Sequence, residues 1–379
     1  MAEPFKNLLN AKLVREAGSA LSRSWSGFDR QAFERHATRG LDALEMKARA
    51  MLIADALEAT LPADFDAACA AIEAALAPPM PVDGAGTERD AGDGLAGWIV
   101  WPLGEFVARR GLDRPGRALL ALHALTQRLT AEFAIRPLIV RHPQLVLATL
   151  QRWTRDPSPH VRRLASEGSR PRLPWGLRLQ SLVADPTPTL AILAALQDDP
   201  SDYVRRSVAN HLNDIAKDHP AVVVDWVQRH LPDATPERRA LLAHASRTLV
   251  KQGHAPMLAL WGAARAFEGR CRLKLAPRRV AVGDAVTLTV EVHSTAKDDQ
   301  PLLIDYAVHH VKADGGTSAK VFKGWKLSVA AGERRTLVKR HSLKAVTTRR
   351  YRAGRHAIDI RINGQVVADA VFDLKLSPA

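Results

Sequence analysis

Only two of the 379 residues are cysteines, Cys69 and Cys271, and they lie far apart in the two halves of the chain. Two isolated cysteines do not make a disulfide framework or a thiolate zinc site, and they favour a reducing compartment. No run of about 18 apolar residues exists, so we expect no membrane-spanning helix. The first residues, MAEPFKNLLNAK, lack a basic-then-apolar leader pattern. We therefore expect a cytoplasmic protein without a membrane partner.

Signatures of the common cofactor and metal enzymes are also missing. The chain has no P-loop, no GxGxxG fingerprint and no HExxH pair, and its 14 histidines are scattered. His309 and His310 are adjacent in a region of strand pattern, so they should point to opposite faces. PERRALLAHA (236–245) aligns with YVRRSVANHL (203–212) at a spacing of 33, so His211 and His244 occupy equivalent repeat positions, which indicates packing. We expect no metal ion and no organic cofactor.

Acidic residues are in the minority. The chain has 54 Lys and Arg against 40 Asp and Glu, a net charge of +14. Residues 270–379 alone hold 21 Lys and Arg against 10 Asp and Glu, which is +11 of that total. A polyanionic partner is therefore favoured, and residues 270–379 are expected to contribute most to binding it.

A repeat of 43 residues gives the architecture of the first part. The pattern DPS followed by VRR occurs at 156–163 and again at 199–206. This period is typical of HEAT-type helical repeats. Helical periodicity covers 6–77 and, in short segments, 98–267, with segments predicted over 115–134 and 174–184 among them. Pro, Gly and Asp dominate 78–97, which we expect to be a loop.

Near residue 270 the hydrophobic period changes from 3.6 to 2. Seven segments with strand pattern follow, most of them separated by turn signals such as Asn363-Gly364. We predict a multidomain chain: an all-α HEAT-like solenoid over 1–268, with 78–97 as an insertion loop, and an all-β immunoglobulin-like sandwich over 270–379.

Polar residues just after each VRR motif are the candidate site. Arg163 and Glu167 are four residues apart, and Arg206, Asn210 and Asp214 follow the same spacing in the next repeat. Groups spaced by four lie on one helix face. Stacking the repeats should place Arg163 beside Arg206, and Glu167 beside Asn210. Spacing alone leaves a plainer interpretation open, because such pairs are common on solvated helix faces.

Trp175 and Glu132 can likewise be interpreted either as residues of a functional site or as residues with a structural role only. Trp175 follows Pro174, and a lone tryptophan is more often part of a core than of a binding site. Glu132 lies four residues before Arg136, which is the spacing of a local ion pair.

Longer motifs add a family resemblance. The chain resembles the bacterial HEAT-repeat alkylation-repair DNA glycosylases of the AlkC type, in the branch with a C-terminal immunoglobulin-like domain. The resemblance covers nearly the whole chain except 78–97. The segments that carry it are RRLASEGSRPRLPWG (162–176), YVRRSVANHLNDIAKDHP (203–220), AEFAIRPLI (131–139), LDALEMKARAMLIADALEATLP (41–62) and WPLGEFVARRGLD (101–113).

That resemblance implies a monofunctional glycosylase acting on 3-methyladenine and 3-methylcytosine in double-stranded DNA, as a monomer. Glu167, Asp214 and Glu132 would be the catalytic carboxylates, and Trp175 would stack on the lesion. Carboxylates would offset the charge of the oxocarbenium ion and orient a water. The predicted DNA contacts are Arg163, Arg170 and Arg206, together with the basic turn residues Arg349, Arg350 and Arg352. The alternative function is a non-catalytic HEAT-repeat scaffold that binds nucleic acid or protein.

Overall fold

The computed structural model describes residues 4–81, 94–346 and 349–376. Within these ranges the chain is helical as far as Leu260 and forms β-strands from Gly269 onward. The predicted order of an all-α region followed by an all-β region is therefore confirmed. Of the loop predicted over 78–97, residues 82–93 lie outside the described residues.

The described residues divide into two compact units. The first comprises the residues up to Asp218 together with Ala234–Ala245, and the second comprises His219–Asp233 and the residues from Ser246 on. The first unit contains a 3-10 helix, Phe5–Leu8, and the helices α1 (Ala11–Ser24), α2 (Arg30–Thr38), α3 (Met46–Thr60), α4 (Phe65–Ala75), α5 (Val100–Arg110), α6 (Pro115–Thr126), α7 (Ile135–Arg141), α8 (Pro143–Trp153), α9 (Pro159–Gly168), α10 (Gln180–Ala184), α11 (Thr187–Leu196), α12 (Asp202–Ile215) and α14 (Pro236–Ala245).

The repeated motif starts each repeat helix in the same way. Asp156 Oδ1 accepts a hydrogen bond from the Ser158 N–H at 2.8 Å, and Asp199 Oδ1 accepts one from Ser201 at 2.9 Å. A side chain that pairs with the backbone two residues on favours a turn, which fixes where each helix begins. Arg162 Nε lies 2.6 Å from Asp199 Oδ2. The motif therefore also ties one repeat to the next.

Two helix predictions were wrong in their extent. The helix expected over 115–134 ends at Thr126, and α7 was not predicted. The carbonyl oxygen of Gln127 accepts from the Met80 N–H at 2.9 Å, and that of Arg128 accepts from Gly97 at 3.2 Å. These carbonyls pair with the two ends of the 78–97 segment, so the helix does not continue through them.

The second wrong prediction concerns 174–184, where only α10 is helical. Residues 169–179 form an irregular segment because Pro171 and Pro174 have no N–H to donate. A buried side chain holds this segment instead. Arg136 Nη1 donates to the carbonyl oxygen of Gly168 at 2.8 Å, and its Nε donates to that of Leu177 at 2.5 Å.

The described part of the second unit combines three helices with two sheets. The elements are α13 (Pro220–His230), α15 (Arg247–Gln252), α16 (Ala255–Leu260), β1 (Gly269–Ala276), β2 (Arg279–Ala281), β3 (Ala285–Ser294), β4 (Gln300–Val311), β5 (Thr317–Val329), β6 (Arg334–Ser342), β7 (Gly354–Ile362) and β8 (Gln365–Lys375). The three-stranded sheet has the order β1-β3-β6, and the other sheet has the order β2-β8-β7-β4-β5. Apolar side chains of both sheets form one core cluster, as in a sandwich.

The predicted strands agree closely with the observed ones, and one strand was missed. β2 has only three residues and pairs in parallel with β8, so no alternation of useful length marks it in the sequence. The Asn363-Gly364 turn joins β7 and β8, as predicted. Both residues have positive φ, 50° and 82°, which is the conformation that a two-residue hairpin favours.

Buried histidines make stability depend on pH. Burial and the charge of Arg170 lower the pKa of His211 to about 3. Burial and the charge of Arg349 lower the pKa of His310 to about 3 and that of His341 to about 4. An unfolded histidine has a pKa of about 6.5, so below that pH the unfolded state binds more protons than the folded state. As the pH decreases below about 6.5, the free energy of unfolding therefore decreases by about 1.4 kcal/mol per pH unit for each histidine.

We therefore expect the thermal midpoint to fall by several degrees between pH 7 and pH 5. Differential scanning calorimetry measures it. Carboxylates with lowered pKa, such as Glu167, lose their stabilising effect only below about pH 4.5, outside this window. His310→Phe removes one of the titrating groups and should reduce the drop. A midpoint that stays constant from pH 7 to pH 5 would contradict the lowered pKa values.

Candidate active site

A continuous chain of alternating charges crosses the first unit. It begins with Glu132, which follows α6, and continues onto α9. Arg163 Nη1 lies 2.8 Å from Glu132 Oε2, and Arg163 Nη2 lies 3.5 Å from Glu167 Oε1, one turn further along the helix. All three side chains are largely buried. We call this series of paired side chains the charge chain. In order, it consists of Glu132, Arg163, Glu167, Arg170, Asp214 and Lys217.

The second half of the charge chain joins α9 to α12. Arg170 Nη1 lies 2.5 Å from Glu167 Oε1, and its Nη2 lies 2.7 Å from Asp214 Oδ2. The Ser207 hydroxyl donates to Glu167 Oε2 at 2.6 Å. Lys217 Nζ lies 2.8 Å from Asp214 Oδ1 and, unlike the other members, is well exposed to solvent. Both carboxylates are therefore fixed by two or more charged or polar donors.

These contacts determine the charge state of Glu167. Burial alone would raise the pKa of its carboxyl group. The guanidinium groups of Arg163 and Arg170 and the Ser207 hydroxyl outweigh burial, and the pKa lies below its ordinary value. Burial would likewise lower the pKa of Arg170, but Glu167 and Asp214 raise it overall. The site therefore holds an ionised carboxylate beside a permanently charged guanidinium at neutral pH.

A cavity of about 350 Å³ opens beside the charge chain. Its charged lining comes from Glu132, Glu167 and Arg170, and its apolar lining is mostly aromatic. The aromatic side chains are Trp98, Trp101, Phe133 and Trp175. An ionised carboxylate beside several π-faces favours a cationic, planar ligand.

Comparison with known proteins decides the family. Residues 129–248 match a family model described as DNA alkylation repair enzyme, and residues 270–376 match the C-terminal Ig-like domain of the uncharacterised protein YhaZ. YhaZ of Bacillus subtilis is 39% identical over 278 residues, covering 72% of this chain and 75% of that protein. The chain belongs to the DNA alkylation repair enzyme family.

A solved member of similar structure supports this assignment along the whole chain. It is the Pseudomonas fluorescens alkylpurine DNA glycosylase AlkC, bound to DNA containing an abasic site analog. The two proteins are 34% identical, with a TM-score of 0.88 over 98% of this chain and 100% of that one. The resemblance to AlkC-type enzymes with a C-terminal immunoglobulin-like domain is therefore confirmed.

Trp175 of this repair enzyme is not a core residue. Its side chain is 65% exposed and lies at the cavity wall, so the plainer interpretation of this tryptophan was wrong. Its φ is +64°, a left-handed conformation that bulky residues rarely adopt and that costs about 1–3 kcal/mol. Strained conformations of this kind are found at functional sites and persist where the surrounding structure fixes them.

Arg136 helps to fix the backbone segment that carries Trp175. The local ion pair that we predicted between Arg136 and Glu132 is not formed. Arg136 is fully buried and is directed to the backbone of the 169–179 segment, while Glu132 pairs with Arg163 and Thr130. Burial, with a smaller effect from the charge of Arg170, lowers the pKa of Arg136 to about 10. This guanidinium therefore remains charged at neutral pH.

The stacking of the repeats differs from the expected register. The residue of α12 that donates to Glu167 is Ser207, and the guanidinium of Arg163 lies over the Tyr203 ring, 4.6 Å from its centroid. Arg206 is exposed and pairs with Asp202 at 2.6 Å. The alignment of α9 with α12 is thus shifted by about one turn from the one we predicted. Tertiary packing sets this shift, and equal spacing in two helices does not encode it.

The predicted DNA contacts fall in different environments. Arg163 and Arg170 are buried within the charge chain, which does not favour direct contact with phosphate. In the second unit, Arg350 and Arg352 are exposed and Arg349 is half-buried. Their roles in DNA binding stay predictions.

Several site residues were missed in the sequence. The aromatic side chains Trp98, Trp101 and Phe133 line the cavity, and Lys217 ends the charge chain. Trp98 and Trp101 stand three apart, directly after the 78–97 segment, a spacing that puts both on one helix face. In a chain with only 5% aromatic residues, such a pair is a usable signal.

Two other kinds of feature are absent from the described ranges. No group of three His, Cys, Asp or Glu residues there is arranged to hold a metal ion. In the same part of the chain, no helix has the length and apolar character needed to cross a membrane.

Proposed function

We propose that the chain is a monofunctional DNA glycosylase that removes 3-methyladenine and 3-methylcytosine from double-stranded DNA. The observation that carries this proposal is the aromatic cavity lined by two buried carboxylates, one of which, Glu167, has a lowered pKa and is ionised. The membership in the DNA alkylation repair enzyme family and the likeness to AlkC support it. No metal or organic cofactor is needed for the reaction described below.

The leaving group makes this simple machinery sufficient. Methylation at N3 gives the base a positive charge, so the base departs as a neutral molecule when it takes the electron pair of the broken N-glycosidic bond. Protonation of the base by a general acid is then unnecessary. The positive charge moves to the sugar, and carboxylates near the sugar stabilise it. The ionised state of Glu167 suits this role.

Water completes the reaction. Its oxygen forms a bond to the anomeric carbon as the base leaves, and its proton passes to a carboxylate. Asp214 and Glu132 are the other carboxylates of the charge chain and are assigned to orient this water. Trp175 offers a π-face to the cationic base or the electron-poor sugar, which is worth about 0.5–2 kcal/mol.

The buried arginines have a separate task. Three carboxylates close together repel one another and tend to take up protons. Arg163 and Arg170 stand between them in the charge chain and fix their direction, and both arginines hold the pKa of Glu167 below its ordinary value. We therefore assign these two residues to positioning the carboxylates.

The lesion spectrum tests this proposal. DNA carrying 3-methyladenine, 3-methylcytosine or a neutral adduct is incubated with the enzyme, and the released base is measured by chromatography. Release of the two cationic bases, with the neutral adduct retained, is expected. Equal release of the neutral adduct would mean that the cation is not the feature the site recognises. Binding without release of any base would favour the scaffold function.

We further propose that the exposed basic turn of the second unit contacts phosphates. Replacing Arg350 and Arg352 by Gln should weaken DNA binding and make it less dependent on salt. The log–log slope of affinity against salt falls by about 0.9 for each phosphate that the protein no longer neutralises. Titrations of duplex DNA by fluorescence anisotropy at several salt concentrations measure this slope.

A second basic surface provides the matched comparison. The exposed cations on the outer face of the three-stranded sheet are Arg270, Arg272, Lys274, Arg334 and Arg340. Replacing Arg272 and Arg340 by Gln removes the same charge as the turn variant. A change of slope in the sheet variant alone would place the DNA contact on the sheet and overturn the assignment to the turn.

A further inference from the structure

An aromatic side chain from the beginning of the chain joins two walls of the cavity. Phe5 packs edge-on against Trp98, with ring centroids 4.8 Å apart and planes at 86°. The same ring is 6.1 Å from the Trp175 ring, at 55°. Trp98 and Trp175 both line the cavity, so Phe5 connects two of its walls.

The backbone that carries Phe5 is held firmly. Leu9, just after the 3-10 helix, is fully buried, and its carbonyl oxygen accepts from Arg49 Nη1 at 2.9 Å. Arg49 is itself buried. Lys6 Nζ lies 2.7 Å from Glu45 Oε1, which ties the 3-10 helix to the residue before α3. The position of Phe5 is therefore set by the fold around it.

The exposure of Phe5 does not suit a purely structural role. Its side chain is 47% exposed, so removing the ring should cost little stability. Trp175, at 65%, is exposed as well and stands on a left-handed backbone. A tryptophan with so few surrounding side chains needs a neighbour to hold one ring orientation, and Phe5 supplies a ring contact.

We propose that Phe5 is a positioning residue that fixes the orientation of the Trp175 indole. This inference rests on the proposed glycosylase function, in which that indole faces the cationic base or the sugar. Small errors in the placement of a group that acts in the transition state reduce the rate strongly, while ground-state binding of the DNA is largely unaffected. The expected loss in Phe5→Ala is about 10-fold in the single-turnover rate.

The first test compares three variants of the full-length enzyme. Phe5→Ala should slow excision of 3-methyladenine with an unchanged thermal midpoint and unchanged DNA affinity. Phe5→Tyr keeps the ring and should restore the rate. Leu8→Ala changes a similarly exposed apolar residue of the same 3-10 helix and should leave the rate as it is. An equal loss in Phe5→Ala and Leu8→Ala would assign the effect to the helix as a whole and overturn the proposal.

A double-mutant cycle tests whether Phe5 acts through Trp175. If it does, Phe5→Ala has no further effect in a Trp175→Ala background, because the ring that it positions is gone. A further 10-fold loss in that background would show that Phe5 acts independently. Phe5→Ala at the rate of the parent enzyme would also contradict the proposal.

A spectroscopic measurement separates this inference from the glycosylase function itself. Acrylamide quenching of tryptophan fluorescence is compared in the parent, Phe5→Ala, Trp175→Phe and the double variant. Phe5→Ala should increase quenching more in the parent background than when Trp175 is replaced, because only the contact of Phe5 with Trp98 is then lost. This outcome requires no excision, so an inactive parent would remove the glycosylase proposal without removing the ring contact. Identical quenching in the parent and Phe5→Ala would show that the ring contact does not hold the indole.

Discussion

Glu167→Gln and Asp214→Asn are each expected to slow excision of 3-methyladenine by about 10²-fold or more. Both changes keep the shape of the side chain and remove the negative charge that would stabilise the oxocarbenium ion. DNA affinity should change little, because in the proposed mechanism these groups act on the sugar as it becomes cationic. Single-turnover kinetics at saturating enzyme measure the rate, and anisotropy titrations measure the affinity.

Stability must be separated from chemistry in this experiment. Glu167 is buried between two arginines, and removing one partner of a buried pair costs about 3–5 kcal/mol. Asp199→Asn is a matched control, because Asp199 is a buried carboxylate paired with Arg162 and lies outside the charge chain that contains Glu167 and Asp214. The control should lose stability and retain excision. Rates for Glu167→Gln and Asp214→Asn within twofold of the parent would exclude both residues from the mechanism.

Arg170→Gln is expected to have the largest combined effect on stability and rate. This guanidinium lies between Glu167 and Asp214 and pairs with both. Without it two buried carboxylates face each other, so stability should fall by about 3–5 kcal/mol and the pKa of Glu167 should rise. The pH at which the excision rate is half-maximal should rise with that pKa.

The same variant decides between the two roles considered for Arg170. A positioning role leaves the salt dependence of DNA binding unchanged. Direct contact with phosphate would lower the log–log slope by about 0.9. Arg170→Lys keeps the charge but does not reproduce two bonds to two carboxylates, so it should bind DNA as the parent does and restore excision only in part. A lower slope with an unchanged pH profile would contradict the positioning role.

Elements with a local chemical signal were predictable from the sequence. The DPS motif encodes its own turn, and the Asn363-Gly364 pair encodes a hairpin. Alternation of apolar residues identified the long strands, since each presents one face to the core. The failure to predict α7 and the excess length predicted for α6 have the opposite cause. There the backbone pairs with segments distant in the chain, which periodicity does not report.

The candidate site shows the same division. Spacing within one helix placed Arg163 and Glu167 on a common face, and the structure has them paired. Contacts between different elements could not be predicted from the sequence. Examples are the ion pair of Arg170 with Asp214 and the burial of Arg136 beneath the 169–179 segment. Phe5 is the extreme case, because its partners Trp98 and Trp175 come from remote parts of the chain.

The most direct test of the account is the fate of DNA methylated at N3 when it meets the purified full-length protein. Free base and strand integrity are measured in the same reaction, without added metal or cofactor. A monofunctional glycosylase should release free 3-methyladenine and leave an abasic site in an intact strand, at a rate that falls by about 10²-fold in Glu167→Gln. Tight binding without release of base would contradict it, and so would equal release by parent and Glu167→Gln.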